Sequence, residues 1–119
     1  MTRSRATARK AGTAFERLIA DHLAAHIDDR IDRRVKTGGK DKGDIAGLRV
    51  HGQRVVLECK DVARLNLAGW VTEADIERGH DDALAGFVVH KRRGTTDAGD
   101  QYVTGTVRDL IALISGDRP

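Results

Sequence analysis

The stretch that most constrains this chain is residues 43–60, GDIAGLRVHGQRVVLECK. Two apolar-rich runs, 45–50 and 54–60, flank His51-Gly52-Gln53, which is the pattern of a β-hairpin with a three-residue turn. Side chains alternate faces along a strand. Val55, Leu57 and Cys59 therefore share one face, which reads as core, and Val56, Glu58 and Lys60 share the other. Charge is awkward at three positions: Asp44 entering the first strand, and Glu58 and Lys60 closing the second. A hairpin returns Asp44 toward the other two. Two carboxylates and an ammonium at a sheet edge suit a hard divalent cation and a phosphate.

The flanking elements follow from periodicity. Residues 1–10 read as a flexible basic arm. Ala11, Ala14, Phe15, Leu18, Ile19, His22 and Ile27 recur at helical steps, predicting a helix over 11–28 with Glu16 at the edge of its apolar face. His22 and His26 are four apart, a spacing that suits zinc, but no third ligand accompanies them and they read as helix-face residues. A short strand is expected over 31–35. A mobile, basic, Gly-rich loop then runs to Gly43 and lacks the spacing of a phosphate-binding P-loop. Downstream come a helix over 67–84, a strand over 85–90, a polar loop, a strand over 101–106, a helix over 107–115 and a tail over 116–119. The second helix is expected to pack through Leu67, Trp70, Val71, Ala74 and Arg78, leaving Glu73 and Glu77 as solvated charges. The last helix carries an apolar face of Val107, Leu110, Ile111 and Ile114. This order predicts an α/β fold with a mixed central sheet flanked by helices.

At 119 residues the chain is expected to form one domain over 1–119. With only 3% aromatic residues, the core must come from Ala, Val, Ile and Leu. A single Cys excludes an intrachain disulfide. No apolar run approaches the ~20 residues of a membrane span, and the basic N-terminus lacks the apolar core of a signal peptide. The expected location is the cytoplasm of a bacterial, archaeal or phage-infected cell.

The net charge of +3 is small but unevenly placed. Arg3, Arg5, Arg9 and Lys10 stand without an acid among them. Arg30, Arg33, Arg34, Lys36, Lys40 and Lys42 outnumber Asp32 and Asp41, and Lys91, Arg92 and Arg93 form a third cluster. Any one cluster is accounted for as solvated surface. Three of them flanking a carboxylate site point to nucleic acid. Thr37, in the Gly-rich loop, is a candidate contact to DNA phosphate.

Asp44, thirteen residues, then Glu58-x-Lys60, preceded by a helix bearing Gly12-x-x-x-Glu16, resembles the PD-(D/E)XK nuclease superfamily. The likeness is greatest to its small Holliday junction resolvases of archaea and phages. It extends over residues 12–106 and includes the basic Gly-rich loop, the second helix and the AGFVVHKR strand. One departure is Gly43, where the family has proline.

The resemblance implies a restriction-endonuclease-like core and a Mg²⁺-dependent endonuclease, with Mn²⁺ as a substitute. It implies a branched DNA substrate, a homodimer and nicks leaving a 5′-phosphate. Asp44, Glu58 and the backbone carbonyl of Cys59 would hold the ion, and Glu16 would bind it directly or through water. Lys60 would orient the attacking water. Arg9, Lys10, Arg30, Arg33, Arg34, Lys36, Thr37, Lys40 and Lys42 would meet DNA. Two alternatives stay open. One is a nicking, restriction-type or exonucleolytic enzyme of the same fold. The other is a non-catalytic nucleic-acid-binding module.

Overall fold

The computed structural model describes residues 3–119. In chain order the elements are α1 (Arg5–His26), β1 (Asp32–Arg33), β2 (Ile45–Ala46), β3 (Arg49–Val50), β4 (Gln53–Lys60), α2 (Leu67–His80), β5 (Ala85–His90), β6 (Tyr102–Thr104) and α3 (Val107–Ser115). A four-stranded sheet runs β3-β4-β5-β6, and β1 pairs with β2 beside it. β4 lies parallel to β5, while β3 and β6 run antiparallel to their neighbours, so the sheet is mixed. Parallel strands need a crossover, and α2 supplies it.

Alternation along β4 sorts its side chains between two layers. Val55, Leu57 and Cys59 join Phe15, Ile19 and Ala20 of α1, Phe87 and Val89 of β5, and Ala112 of α3. On the opposite face Val88 of β5 packs with Trp70 and Ala74 of α2. Val55 to Cys59 are all buried, as befits a strand covered on both faces. Glu58, on the α2 face, is therefore a carboxylate inside the molecule.

Four expectations are corrected. The basic arm is not an arm: Ser4 caps α1, its Oγ accepting from the Thr7 N–H, and Arg9 and Lys10 lie on that helix. Residues 1–2 of the expected arm lie outside the described residues. The first hairpin strand is broken at Gly47, which has φ +89 and lies against Arg30, where a Cβ would meet the Arg30 carbonyl oxygen at 2.8 Å. Ile45–Ala46 consequently pairs with β1, and only Arg49–Val50 pairs with β4. The turn has two residues, His51 and Gly52, both at positive φ, as the twist of a tight hairpin requires.

The second helix ends at His80, and Asp81 to Leu84 form the turn into β5. The apolar face of α3 points outward. Val107, Leu110, Ile111 and Ile114 are 71%, 49%, 44% and 71% exposed. α3 is held instead by Ala112 and by Asp109, whose Oδ1 accepts from the Gly86 N–H and from Arg118. Among the described residues no helix is long and apolar enough to cross a membrane.

Candidate metal centre

Asp44 is positioned by backbone contacts on either side of it. Its N–H donates to the Leu57 carbonyl at 2.9 Å, and its own carbonyl accepts from the Arg34 N–H at 2.8 Å. The approach is close because residue 43 is glycine. A Cβ there would sit 2.9 Å from Val56 Cγ1 and 3.0 Å from the Leu57 carbonyl oxygen, and the backbone takes φ +96. Proline, locked near φ −65°, cannot adopt that conformation. Glycine at residue 43 thus has a local structural reason.

Asp44 is 4% exposed. Its Oδ2 accepts from the Cys59 N–H at 2.8 Å and its Oδ1 receives the Lys36 ammonium at 3.0 Å. Burial opposes its charge, but hydrogen bonds from Glu58, from Cys59 N–H and from Lys36 outweigh that cost. They hold its carboxyl below the usual range.

Glu58 is 5% exposed and comes from β4 to meet Asp44. Glu77, 2% exposed, comes from α2 to meet it from the other side. Glu77, expected as a solvated helix charge, is buried instead. It follows Trp70 and Ala74 at positions i, i+4 and i+7, so helical spacing alone assigns it to the inner face of α2. Asp41, from the Gly-rich loop, completes a group of three: one carboxylate oxygen each from Asp41, Glu58 and Glu77 lies within 4.8 Å of the others.

Burial, then Glu77, then Asp44 push the Glu58 carboxyl strongly upward, so it carries a proton. That single proton serves only one neighbour at a time. Oε2 of Glu58 and both oxygens of Glu77 have no donor from elsewhere in the described protein. Glu77 is likewise raised, chiefly by burial. Orphaned buried carboxylate oxygens, all hard donors, are the chemistry of a Mg²⁺ or Mn²⁺ site.

The other predicted residues are distributed around this centre. Glu16, on α1, lies near enough to Asp44 to be raised by burial and by that charge, but its Oε1 is held by Arg33 at 3.1 Å. Lys60 is 3.2 Å from Glu73 on α2. The Cys59 thiol is buried and its pKa is driven up by burial, so it is no nucleophile; only its backbone faces the site.

Lys36, Thr37, Lys40 and Lys42 line a cleft with Arg34 and Asp41 on one side of the centre. Arg9, Lys10, Arg17 and Arg33 line another along α1. Among the described residues Lys40 and Lys42 form no salt bridge, whereas Arg30 is paired with Asp28 at 2.7 Å and stands apart from both clefts. His22 and His26, expected as helix-face residues, lie with their rings tilted at 56° and their centroids 4.5 Å apart, and they belong to no metal-ligating group among the described residues. His90 is buried between Trp70 and Tyr102, burial lowers its pKa, and its Nε2 shares a hydrogen bond with Thr104 Oγ1.

No family model, curated protein or solved structure matches this chain.

Proposed function

We propose that this protein is a Mg²⁺-dependent, structure-selective DNA endonuclease with a restriction-endonuclease-like core, a Holliday junction resolvase of the PD-(D/E)XK type. The observation that carries the reading is the meeting of Asp44 and Glu58. They come from separate segments, are 4% and 5% exposed, and leave Oε2 of Glu58 without a donor from elsewhere in the described protein. Two buried carboxylates brought together are costly unless protonated or bound to a cation.

In this reading Asp44, Glu58 and the Cys59 carbonyl hold the ion. When bound, Mg²⁺ supplies an acidified water and charge neutralisation at the phosphate. Lys60 follows Glu58 by two residues on the same face of β4. It orients the attacking water and stabilises charge developing on the phosphate. Its partner Glu73 is 45% exposed, so the pair is weak enough to release the ammonium. Glu16, pinned by Arg33, acts through water rather than as a direct ligand. The loop bearing Lys36, Thr37, Lys40 and Lys42 and the α1 edge bearing Arg9, Lys10 and Arg33 follow the DNA backbone.

A four-way junction has two-fold symmetry and one site cuts one strand, so resolution calls for a homodimer. The outward face of α3, Val107, Leu110, Ile111 and Ile114, supports a second copy as its cover.

The test compares labelled four-way junction, duplex, single strand and flap, each with Mg²⁺ and with EDTA. Paired nicks in the junction alone, lost in EDTA, are expected. Metal-dependent cutting of duplex or ends keeps the site and changes the substrate. Binding without cutting under any divalent ion overturns the enzyme and leaves a binding module.

A further inference from the structure

The third basic cluster, Lys91-Arg92-Arg93, lines neither of the two clefts set against the DNA backbone. It follows directly on β5, and the Lys91 N–H donates to the carbonyl of Lys60, the last residue of β4, at 3.0 Å. In open α/β sheets ligands collect in the crevice beyond the carboxyl ends of the parallel strands. β4 and β5 are such a pair, and a cavity of about 190 Å³ opens beyond their carboxyl ends. Lys60, Lys91 and Arg93 line it, together with Val62, Leu65 and Trp70. It is smaller than the roughly 300–1,000 Å³ of a site that encloses a drug-sized molecule, so it has room for one planar ring and not for a length of chain.

Val62 and Leu65 belong to the connector between β4 and α2 and are 44% and 66% exposed. Two arginines pin that connector. Arg3 donates to the Asp61 carbonyl at 2.8 Å and pairs with the Asp61 carboxylate at 3.3 Å. Arg93 donates to the Val62 carbonyl at 2.8 Å and lies 3.6 Å from the same carboxylate. Two apolar side chains are thus presented to solvent on a segment held in place. Lys91 has no carboxylate partner among the described residues, its Nζ meeting only the carbonyls of Arg92 and Thr95. Arg92 is engaged elsewhere, its guanidinium 5.5 Å from the centre of the Tyr102 ring.

Apolar walls beside cations suit a flat ring joined to a phosphate, which is a nucleotide. In paired DNA the faces of the bases are covered by their neighbours, and a base is free to leave the stack most cheaply where it is already unpaired. Apolar side chains such as Leu and Ile are what proteins set against unstacked bases. We propose that this cavity takes one unpaired nucleotide of the strand being cut, its base against Val62 and Leu65 and its phosphate against Lys91 and Arg93. The proposal rests on the nuclease reading and gives it a physical source of selectivity for branched over fully paired DNA. Lys60, on the cavity's edge, keeps its place at the scissile phosphate.

Binding of the full-length chain is measured in EDTA, by fluorescence anisotropy, to a duplex carrying a one-nucleotide bulge and to the same duplex with the bulged nucleotide lacking its base. Wild type is expected to favour the base-bearing bulge by at least about fivefold, the low end for one stacked base. Leu65→Ser and Val62→Ser, both at exposed positions that leave the fold intact, should each bring that affinity down to the level of the abasic bulge. Lys91→Gln should lower the slope of log affinity against log salt by about one. Equal binding of the two bulges by wild type, a preference that survives both apolar substitutions, or an unchanged salt slope in Lys91→Gln overturns the pocket. Junction cleavage in Mg²⁺ by the same wild-type protein separates the two readings. Cleavage without a base preference overturns the pocket and leaves the nuclease, and a base preference without cleavage supports the pocket and overturns the nuclease.

Discussion

The Lys36 ammonium lies 3.0 Å from Oδ1 of Asp44, on the oxygen left over once Oδ2 has accepted the Cys59 N–H. Lys36 thus stands where a cation bound to Asp44 would stand. Its side chain is 60% exposed, so the pair is cheap to open, worth at most about 1 kcal/mol. Lys36→Met should tighten Mg²⁺ binding by up to about fivefold, that energy expressed as a ratio. Calorimetric titration of the two proteins checks this, and weaker binding by the variant would place Lys36 outside the competition.

Glu58 makes metal-free stability depend on pH. Burial, with Glu77 and Asp44 beside it, raises its folded pKa above the unfolded value of about 4.3. The folded chain keeps a proton that the unfolded chain releases. The contribution is full below about pH 4 and is lost as pH rises toward the folded pKa. In EDTA, Glu58→Gln should therefore gain on wild type in urea midpoint steadily from about pH 5 to about pH 9. Mg²⁺ must displace the same proton, so wild-type affinity should rise with pH, by up to about tenfold per unit for one proton.

Gly43 carries the chain past β4 in a conformation other residues resist. Gly43→Ala places a methyl 2.9 Å from Val56 Cγ1 at φ +96. A loss of about 1–3 kcal/mol in unfolding free energy is expected, with weaker metal binding because Asp44 shifts. Denaturant melts and metal titration report the two effects separately.

Lys60→Met should lower the rate of junction cleavage by about 10²–10³ while leaving Mg²⁺ affinity and junction binding nearly intact, as for loss of one charge-stabilising donor. Single-turnover kinetics at saturating enzyme make the comparison. An unchanged rate would reduce Lys60 to the partner of Glu73.

Leu110→Glu and Ile114→Asp fall on the outward face of α3, where the two residues are 49% and 71% exposed. Each should convert a dimer to a monomer in sedimentation velocity and change monomer stability by no more than about 0.5 kcal/mol. A wild type that sediments as a monomer at micromolar concentration, with and without junction DNA, would remove the dimer.

What the sequence made legible is what local chemistry determines. The period-two pattern of Val55 to Lys60 assigned both faces of β4, and Trp70 found its place between α2 and the sheet. Glu77 was readable from the same helical spacing as Trp70 and Ala74, but a glutamate on a helix is ordinarily solvated, and that expectation prevailed over the period. The break at Gly47 was not readable, because its cause is the Arg30 carbonyl, a contact made only once the chain has folded. Ser4 caps α1, a start hidden in the sequence by the density of arginines that makes residues 1–10 read as an arm. On α3 the apolar period was readable, but the direction in which that face points was not. Asp109 and Ala112 anchor the helix through contacts to Gly86 and Arg118 that no pattern within α3 encodes.

The most direct test of the account is strand cleavage of a labelled four-way junction by wild type and by Glu58→Gln, in Mg²⁺ and in EDTA, with junction binding measured alongside. The account predicts nicks by wild type only with Mg²⁺, leaving 5′-phosphates, and no cleavage by Glu58→Gln despite undiminished binding. Equal cleavage by both proteins, or cleavage in EDTA, would contradict it.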